Sequence, residues 1–556
     1  MRFSKKVIII TFLIILICVL FFGGFWCQRK RRSKKNYVED FVKENKINLA
    51  KRNLLSRSNL KNYLNELDSG AIKIIDAAKL ENESKAVETY ANDTIVFVVD
   101  DEYNSSDLSN KNYNDFLNNE NIKLCVATDW LDKDHQKLFI FPIGFESRLL
   151  DWKELKKERR VFLKLLETQH SSLNQIESNR NRGSKILCDA HFNMSKSPSS
   201  GFRADRVDLM THLKGSAKIT FLENRLNRKE YFENLKNYSH VLCPEGNGLD
   251  THRFYEGYAL GLTPIVRRGP LTGLHSTFPG TVVVEEWGDL LRTDLPANRK
   301  PTDLGLVTLG HWLYKSLAPV CRIMTFFTGG NCDEWRNFLV GIRRLNLDKY
   351  LVVFVLDRVA LECVKKENVS FRTDLMTNDL ENSSQYGKLG FKNITEKKLN
   401  AIEILLREHF FVFYFDTDIV LFRDPLEHYF SLPPGRLYMQ SDKPSFEPDG
   451  FGHYCTGVMF AAPCAENEKI FRKSARITRE RKMGCGDDQS AVNDYCRERQ
   501  INIKTLDPAA FPNGWRYFES TETRDQCWKT PVLIHNNYII GSQKIERFKK
   551  NNLWFI

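Results

Sequence analysis

The feature that most constrains the fold is an alternation of short apolar runs with helical stretches, which occurs in two successive series. The first series contains TIVFVVDD, KLFIFPIG, SKILCDA, YSHVLCP and TPIVRR, and the second contains CRIMTFFTG, KYLVVFVLD, FVFYFD, TGVMFAA and PVLIH. Apolar runs of this length between helices indicate parallel strands covered by helices. The pattern restarts after a charged, proline-containing stretch at residues 290–318, so the sequence predicts two α/β domains in tandem.

The charge distribution argues against a nucleic-acid partner. The chain has 556 residues, too many for a single ordinary core, and a formal net charge of +12. However, residues 1–35 contain nine Lys or Arg residues and no Asp or Glu. Without those nine, 73 of the 82 basic residues remain against 70 acidic ones. The body is therefore nearly neutral, whereas a nucleic-acid-binding domain is strongly basic.

Residues 7–26, VIIITFLIILICVLFFGGFW, form an apolar run without a charge that is long enough to span a bilayer as a helix. We expect an uncleaved transmembrane anchor, because the run exceeds a usual h-region and no small-residue cleavage site follows; a cleaved signal peptide is the alternative. Residues 28–90 are polar and rich in Lys, Asn and Glu, which is typical of a stem. The predicted organisation is a tail and anchor at 1–27, a stem at 28–90, and α/β domains at 91–318 and 319–556.

The chain has thirteen cysteines but no Cys-x-x-Cys, which argues against zinc ribbons. Cys125, Cys188 and Cys243 lie inside apolar strand-like runs and are expected to be buried thiols. Eight cysteines fall between Cys321 and Cys527, where disulfides can form but their pairing cannot be derived from the sequence.

Residues 411–426, FVFYFDTDIVLFRDPL, end an apolar strand on two aspartates. In an extended backbone residues i and i+2 point the same way, so Asp416 and Asp418 direct both carboxylates to one place. Two like charges this close need a positive charge between them, and open α/β sheets bind ligands at this edge. The pattern predicts a divalent metal site. The following helix is expected to begin with Asp424 as its cap and Pro425 at its first position.

The C-terminal stretch TPVLIHNNYIIGSQKIERFKKNNLWF supplies candidates for the same site. His535 ends another apolar run, and Gly541 and Lys544 follow. An imidazole with two carboxylates suits manganese or magnesium that also holds phosphate oxygens. A glycine lets backbone N–H groups approach the phosphates, and a lysine cancels their charge. The alternative is a core histidine beside a surface lysine.

The stretch ITEKKLNAIEILLREH predicts a helix before the acidic strand. Thr395 is the expected N-cap, and Leu399, Ile402 and Leu406 fall on one face at helical spacing. Lys398 is then in the first turn, off that face. By spacing alone it is either a site residue or a solvated lysine.

In the first region the informative stretch is residues 238–271, YSHVLCPEGNGLDTHRFYEGYALGLTPIVRRGPL. A Gly-rich loop leads into a helix that Asp250 is expected to cap, and a helix N-terminus of this kind binds anions. Arg253 adds positive charge, and Glu256, one turn later, can accept hydrogen bonds from ribose hydroxyls. The alternative is an ordinary βαβ unit with tight turns.

From residue 321 onward, six stretches carry a family resemblance: FKNITEKKLNAIEILL, FYFDTDIVLFRDPL, TGVMF, DDQSAVN, FPNGW and IHNNYIIGSQKIERFKKNNLW. In this order they resemble the nucleotide-diphospho-sugar transferases of glycosyltransferase family 77, which are similar in turn to the glycogenin and lipopolysaccharide-galactosyltransferase group. The resemblance implies a GT-A fold, a UDP-sugar donor, bound manganese and retention at the anomeric carbon. Two mechanisms of transfer stay open. In one, the diphosphate departs and the acceptor attacks on the same face of the sugar; in the other, a covalent intermediate forms.

The resemblance also implies a role for each site residue. Cys455 departs from the family, which usually has an asparagine there, and this departure affects a donor or acceptor contact. The implied roles are metal ligation by Asp416, Asp418 and His535; proximity to uracil and ribose for Thr325 and Phe326; diphosphate contact for Gly541 and Lys544; a place by the anomeric face of the donor sugar for Asp488 and Gln489; and sugar or phosphate contact for Lys398.

Residues 238–271 resemble the nucleotide-binding half of exostosin-like transferases, whose common form is Pro-Arg-Gly with a downstream Arg-x-x-Glu. KLFIFPIGFESR and the basic segment around Arg203 and Arg206 fit the same resemblance, which covers about residues 90–315. Glu245 stands where that family has an arginine, which removes a positive charge from the phosphate loop. The resemblance implies a GT-B-like sugar transferase domain, either active or degenerate.

The predicted fold class is therefore α/β, with two Rossmann-like domains, GT-B-like and then GT-A-like, behind a transmembrane helix. The predicted function is a membrane-anchored, bifunctional glycosyltransferase. Its C-terminal domain transfers xylose, arabinose or galactose from a UDP-sugar to a glycan or glycoprotein, with retention and with manganese, and its N-terminal domain is a second sugar transferase. The alternatives are a single-activity enzyme whose N-terminal domain only binds acceptor glycan, and a catalytically dead, membrane-tethered glycan-binding protein.

The predicted location is a single-pass protein of a Golgi-type membrane, or of a host-cell membrane if the chain is virally encoded. Residues 7–26 make the membrane contact, and no nucleic acid binds. Orientation stays open, because the basic residues after the apolar run favour a cytosolic body, whereas the predicted function favours a lumenal one.

Overall fold

A computed structural model describes most of the chain after residue 53. The described residues are 54–67, 71–76, 79–99, 112–128, 135–146, 149–150, 155–170, 185–190, 202–222, 224, 226–246, 248–295, 302–377, 389–442, 453–481, 487–501, 503–520 and 531–556.

The prediction of a single-pass membrane protein is wrong for the part of the chain that this structure describes. Within the ranges just given, no helix combines the length and the apolar character needed to cross a bilayer. The apolar run at residues 7–26, on which the prediction rested, lies outside the described residues.

The N-terminal region opens with a four-stranded parallel sheet. Its strands are β1 Ile72–Asp76, β2 Thr94–Val99, β3 Ile122–Ala127 and β4 Leu138–Ile140, and its helices are α1 Arg57–Leu67, α2 Leu80–Ala86, α3 Asn112–Asn118 and α4 Lys156–His170. The strands pair in chain order, and every residue of β2 is buried, as expected for a β-branched run covered on both faces. Part of the predicted stem is thus folded, since α1 is anchored by buried Leu60 and Leu64 and β1 pairs with β2.

A five-stranded parallel sheet follows. Its strands are β5 Ile186–Cys188, β6 Ile219–Phe221, β7 His240–Leu242, β8 Thr263–Arg267 and β9 Val282–Val284, and its helices are α5 Phe202–Leu213, α6 Arg228–Leu235, α7 His252–Ala259 and α8 Thr272–His275. The strand order is β6–β5–β7–β8–β9, so the chain reverses its direction of travel across the sheet between β5 and β7. The crevice above the carboxyl ends of these two strands is the topological switch point, where doubly wound sheets bind ligands.

The C-terminal region is built on a mixed sheet. Its strands are β10 Cys321–Phe327, β11 Leu351–Val355, β12 Phe371–Arg372, β13 Phe411–Phe415, β14 Ile419–Leu421, β15 Leu437–Ser441, β16 Tyr454–Ala461, β17 Lys504–Thr505 and β18 Leu533–His535. Seven of them form one sheet in the order β12–β11–β10–β13–β16–β15–β17, in which β16 is antiparallel to its two neighbours. β14 and β18 form a separate antiparallel pair.

The helices of this region cover both faces of the mixed sheet. They are α9 Leu309–Leu317, α10 Cys332–Arg344, α11 Arg358–Lys365, α12 Leu389–Arg407, α13 Pro425–Ser431, α14 Ala465–Glu480, α15 Asp488–Glu498 and α16 Ser542–Lys550. α13 begins as predicted, because Asp424 accepts hydrogen bonds from the backbone nitrogens of Leu426 (2.8 Å) and Glu427 (3.3 Å) and Pro425 is the first helical residue. The predicted α/β class is confirmed, and the boundaries at 91–318 and 319–556 stay predictions.

A continuous apolar core joins the two regions through α9. The ring of Trp312 packs 6.4 Å from Phe139 of β4 and 5.8 Å from Phe278, which follows α8. On its other side α9 contacts α13, where the Tyr314 hydroxyl donates to Asp424 Oδ2 at 2.6 Å. A Cβ on Gly310 would lie 2.7 Å from the carbonyl oxygen of Phe430, so the helices approach too closely for a side chain there. One set of buried side chains therefore contributes to all four sheets.

Cys332 at the start of α10 forms a disulfide with Cys363 in α11. This pairing could not be derived from spacing. It ties the helix that follows β10 to the helix that follows β11. Cys125, Cys188 and Cys243 are buried free thiols, as predicted.

Candidate active site

Two strand ends bring the predicted metal ligands together. Asp416 follows β13, Asp418 precedes β14, and His535 is the last residue of β18, which pairs with β14 so that Ile419 and His535 are opposite each other. His535 Nε2 lies 3.4 Å from Asp418 Oδ1 and 3.7 Å from Asp416 Oδ2. Asp418 and His535 are buried, whereas the Asp416 side chain is 32% exposed. The cluster is thus reachable from one side only.

The backbone beside this cluster has no room for another side chain. Gly457 of β16 lies beneath it, and a Cβ there would be 2.2 Å from His535 Cε1 and 2.7 Å from Asp416 Oδ2. The ligand atoms of Asp416, Asp418 and His535 lie within 4.8 Å of one another. Two carboxylate oxygens and one imidazole nitrogen with open positions suit Mn²⁺ or Mg²⁺. The residues present therefore fit a divalent ion.

Lys544 balances the charge of the cluster from the side of α16. Its ammonium lies 2.9 Å from Asp418 Oδ2. Burial alone would raise the pKa of Asp418, but Lys544 and His535 hold this pKa well below its usual range. Burial alone would lower the pKa of His535. The Asp418 carboxylate has the larger effect and raises this pKa well above its ordinary value. Lys544 and His535 thus favour the ionised form of Asp418.

Gly541 immediately precedes α16 with φ +59°, a backbone conformation that favours glycine. No atom lies within 4 Å of the position that its Cβ would occupy, so the backbone is accessible there. Lys544 stands one turn further along the same helix. The structure therefore brings together the two residues that were predicted to face a diphosphate.

Lys398 is buried beside the cluster, which excludes the solvated alternative. Its Nζ lies 2.6 Å from Asp488 Oδ2, 3.7 Å from Asp416 Oδ1 and 3.3 Å from the hydroxyl of Thr456. Burial opposes its charge, yet Asp416 and Asp488 raise the pKa of Lys398 above its usual value. The ammonium thus links the metal cluster to Asp488.

The predicted start of this helix is wrong, although its apolar face is correct. α12 begins at Leu389, and Thr395 lies in its interior, where the hydroxyl donates back to the carbonyl of Lys392 at 3.1 Å instead of capping. Lys398 is therefore in the middle of the helix. Leu399, Ile402 and Leu406 are buried, as their spacing predicted.

Asp488 and Gln489 begin α15 and are held above β16. Asp488 Oδ2 accepts from the Thr456 hydroxyl at 2.7 Å. Gln489 Oε1 accepts from the Thr456 backbone nitrogen at 3.3 Å, and its Nε2 donates to Asp442 Oδ2 at 2.9 Å. The two residues are therefore adjacent to the metal cluster, as the predicted contact with a donor sugar requires.

Thr325 and Phe326 lie within β10 and face opposite sides of the sheet, because successive residues of a strand do so. The ring of Phe326 packs 6.0 Å from that of Tyr414, whose hydroxyl bonds to Asp416 Oδ1. Thr325 is fully buried, and its hydroxyl has no hydrogen-bond partner among the described residues. Only the Phe326 side chain is directed toward the cluster, so their nucleoside role stays a prediction.

Four residues near the cluster were not predicted as site residues. Cys455 Sγ lies 3.7 Å from His535 Nδ1, and Asp442 accepts hydrogen bonds from Gln489 and, at 3.4 Å, from Asn537. Burial, followed by the charge of Asp418, raises the pKa of Glu334 in α10 to about 7. The fourth, Gln440 of β15, bonds to His535. Cys455 alone had a signal in the sequence, as a departure from the family pattern.

In the N-terminal region Arg253 lies at the switch point between β5 and β7. It occupies the first turn of α7, and its Nη2 donates to the carbonyl of Asp189 at 2.9 Å and lies 3.5 Å from Asp189 Oδ2. Glu256 is 2% exposed and accepts from Arg228 Nη1 at 3.0 Å. Arg253 thus stands where an anion site was predicted, whereas the Glu256 carboxylate is covered by Arg228.

The predicted cap of α7 is wrong. Thr251 is the residue that precedes the helix, and Asp250 lies one position earlier. The Asp250 carboxylate accepts from the Tyr255 hydroxyl at 2.5 Å and from the Ile143 backbone nitrogen at 3.2 Å. These partners, one of them in the segment after β4, draw the side chain away from the amides of the first helical turn.

Comparison with known proteins finds relatives of the C-terminal region. Residues 346–548 match the family described as nucleotide-diphospho-sugar transferase. Over 200 residues the chain is 30% identical to a UDP-galactose:fucoside alpha-3-galactosyltransferase of Dictyostelium discoideum, covering 32% of this chain and 30% of that protein. Over 240 residues it is 25% identical to a UDP-D-xylose:L-fucose alpha-1,3-D-xylosyltransferase of Arabidopsis thaliana, covering 40% and 65%. The chain thus spans less than two thirds of the length of either relative.

Among solved structures, mouse xyloside xylosyltransferase 1 superposes on 40% of this chain and 99% of its own, with a TM-score of 0.28 and 14% identity. A TM-score this low carries no weight for fold or function. The exostosin-like resemblance of residues 91–318 stays a prediction. Residues 346–548 are thus similar to the nucleotide-diphospho-sugar transferases, and the predicted enzyme class, a glycosyltransferase with a UDP-sugar donor, is confirmed.

Proposed function

We propose that the C-terminal region transfers a sugar from a UDP-sugar to a glycan or glycoprotein, with retention, using Mn²⁺ held by Asp416, Asp418 and His535. The observation that carries this proposal is the convergence of these three side chains above Gly457, where no side chain has room. Xylose and galactose are the first donor sugars to test, because the names of two relatives contain them. Arabinose is the third.

A divalent ion bound here would supply positive charge to the leaving diphosphate. The chain adds its own charge, since Lys544 stands 2.9 Å from Asp418 in a helix whose N-terminus favours anions. The open backbone at Gly541 admits phosphate oxygens to the same place. We infer that Gly541 and Lys544 bind the diphosphate.

Lys398, Asp488 and Gln489 then face the donor sugar. Lys398 holds Asp488 at 2.6 Å while staying 3.7 Å from Asp416, so the Asp488 carboxylate is fixed beside the metal ligands. A preorganised charge of this kind stabilises an oxocarbenium-like transition state without reorganising during the reaction. This arrangement accommodates either same-face attack or a covalent intermediate.

The first acceptor to test is a fucoside, because fucose or fucoside is named for both relatives. Full-length protein would be incubated with UDP-xylose, UDP-galactose or UDP-arabinose, Mn²⁺ and a fucoside, and the product analysed by mass spectrometry and NMR. We expect transfer with retention, and its loss in Asp418→Asn. The control is Asp494→Asn, which changes a half-buried carboxylate that pairs with Arg481 and Arg497. Transfer by Asp418→Asn at the wild-type rate would disprove the metal assignment.

A second candidate function is a metal-independent sugar transfer by the N-terminal region. Arg253 supports it, because it lies at the β5–β7 switch point in the first turn of α7, and a helix N-terminus with an arginine can hold a phosphate without metal. The alternatives are a region that only binds acceptor glycan, and a chain in which both sites are dead.

UDP binding measured by calorimetry in EDTA tests this candidate. We expect one binding event in the wild type and in Asp418→Asn, and much weaker binding in Arg253→Lys, which keeps the charge but loses the bidentate fork. Absence of UDP binding in EDTA would leave the C-terminal site as the nucleotide site and reject the second activity.

A further inference from the structure

The amide of Gln440 is oriented by two backbone carbonyls. Gln440 is fully buried in β15, and its Nε2 donates to the carbonyl oxygens of Phe511 (3.0 Å) and Pro512 (3.1 Å). A carbonyl oxygen only accepts hydrogen bonds, so the amide nitrogen must face these two atoms. The amide oxygen is therefore fixed on the other side of the group.

That amide oxygen faces the imidazole of His535. Gln440 Oε1 lies 2.8 Å from His535 Nδ1, and an amide oxygen can only accept. Nδ1 must therefore carry the hydrogen, and in the neutral ring the lone pair is on Nε2. Nε2 is the atom that lies 3.4 Å from Asp418 and 3.7 Å from Asp416.

The same carbonyl also positions the backbone of His535. Pro512 accepts from the His535 backbone nitrogen at 3.2 Å as well as from Gln440. The segment at residues 511–512 thus positions the main chain of His535 directly and its side chain through Gln440. The Cys455 thiol, 3.7 Å from Nδ1, is a longer and weaker acceptor than the amide oxygen.

We propose that Gln440 is a positioning residue, which selects the tautomer and ring orientation of His535 that present the Nε2 lone pair to a divalent ion. The proposal rests on the proposed function, since it assumes that Asp416, Asp418 and His535 hold that ion. Gln440 is fully buried and contacts Nδ1, whereas Nε2 is the ring atom near the carboxylates, so its effect on the site is exerted through His535. Partners of this kind typically change metal affinity 10- to 100-fold.

The test is Mn²⁺ affinity of the full-length protein, measured by electron paramagnetic resonance. Gln440→Met keeps the volume and removes both the donor and the acceptor, and we expect its Kd for Mn²⁺ to rise about 10- to 100-fold. Asn467→Leu is the matched control. Asn467 is also a buried amide that donates to two carbonyls, of Arg436 (2.7 Å) and Ala462 (2.8 Å), but it does not contact the cluster.

The outcomes separate the proposal from its premise. If the wild type binds no Mn²⁺, the metal site and the role of Gln440 both fail. If the wild type binds Mn²⁺ and Gln440→Met binds it equally well, or Asn467→Leu weakens binding as much, the metal site stands and the role of Gln440 fails.

A second measurement needs no variant. In wild-type protein labelled with ¹⁵N-histidine and loaded with Mg²⁺, we expect the hydrogen of His535 on Nδ1. A hydrogen on Nε2 would overturn the proposal.

Discussion

The ammonium of Lys398 lies 2.6 Å from Oδ2 of Asp488, and both side chains are buried. The pair joins the middle of α12 to the first residue of α15, directly beside Asp416. A buried ion pair contributes less to net stability than its distance suggests, because both charges lose water, but removing one partner is costly. Replacing one partner and replacing both should therefore differ in stability, and comparing stability with activity separates a structural role of the pair from a catalytic one.

Lys398→Met should destabilise the fold by about 3–5 kcal/mol, because it leaves Asp488 as an uncompensated buried charge near Asp416. The double variant Lys398→Met/Asp488→Leu should recover most of that loss in urea unfolding and still transfer no sugar. Recovery of activity together with stability would show that the pair is structural only.

Gly457→Ala should abolish Mn²⁺ binding and leave the rest of the fold intact. The added methyl would lie 2.2 Å from His535 Cε1, a distance at which the imidazole must move. Gly273→Ala is the matched control, since no atom lies within 4 Å of its added methyl. Calorimetric Mn²⁺ titration of both variants checks the prediction, and wild-type affinity in Gly457→Ala would contradict the close approach.

Glu334 should make the metal-free protein less stable as pH rises. Its pKa in the folded state, about 7, lies above the 4.5 of the free side chain, so the folded state binds more protons between these values. The contribution of Glu334 to stability is then fully present below pH 4.5 and is lost as the pH rises to about 7, by about 3 kcal/mol. The free energy of unfolding of the wild type and of Glu334→Gln, measured in EDTA between pH 4.5 and pH 7, checks this prediction. An equal pH dependence of the two proteins would refute the assignment.

The disulfide between Cys332 and Cys363 should stabilise the C-terminal region. It closes a loop with a sequence separation of 31, for which the chain-entropy relation gives about 3–4 kcal/mol. Cys332→Ser/Cys363→Ser should lower the free energy of unfolding by that amount, and non-reducing peptide mapping should find the bond in the wild type. Absence of the cross-linked peptide would contradict the pairing.

The convergence of Asp416 and Asp418 was predictable because its signal is local: they follow a buried strand at a spacing of two, which directs both carboxylates the same way. His535 was a candidate because it ends another apolar run, but the pairing of β14 with β18 that brings it to the aspartates is a long-range contact. The Asp424 cap is equally local. By contrast, the caps predicted at Thr395 and Asp250 were wrong, because each side chain bonds elsewhere: Thr395 within its own helix, and Asp250 to Tyr255 and Ile143.

Gln440, Asp442 and Glu334 carried no signal because their roles depend on packing between distant segments. Gln440 contacts a residue 95 positions away in the sequence, and a glutamine in an apolar strand suggests only a tolerated polar residue. The contacts of Lys398 could not be predicted for the same reason. Helical spacing placed it off the apolar face, while the structure surrounds it with Asp488 and Thr456 from other elements.

The packing of Trp312 against Phe139 and Phe278 has a consequence for how this chain evolves. Since α9 also packs on α13, selection for sugar transfer at the C-terminal site acts on the apolar interior of the N-terminal region as well. In a lineage that lost any N-terminal chemistry, the side chains around Trp312 would still be retained, while Arg253 and Asp189 would be free to drift. Substitution rates at these two groups of positions would therefore distinguish a working second site from a domain kept only as a scaffold.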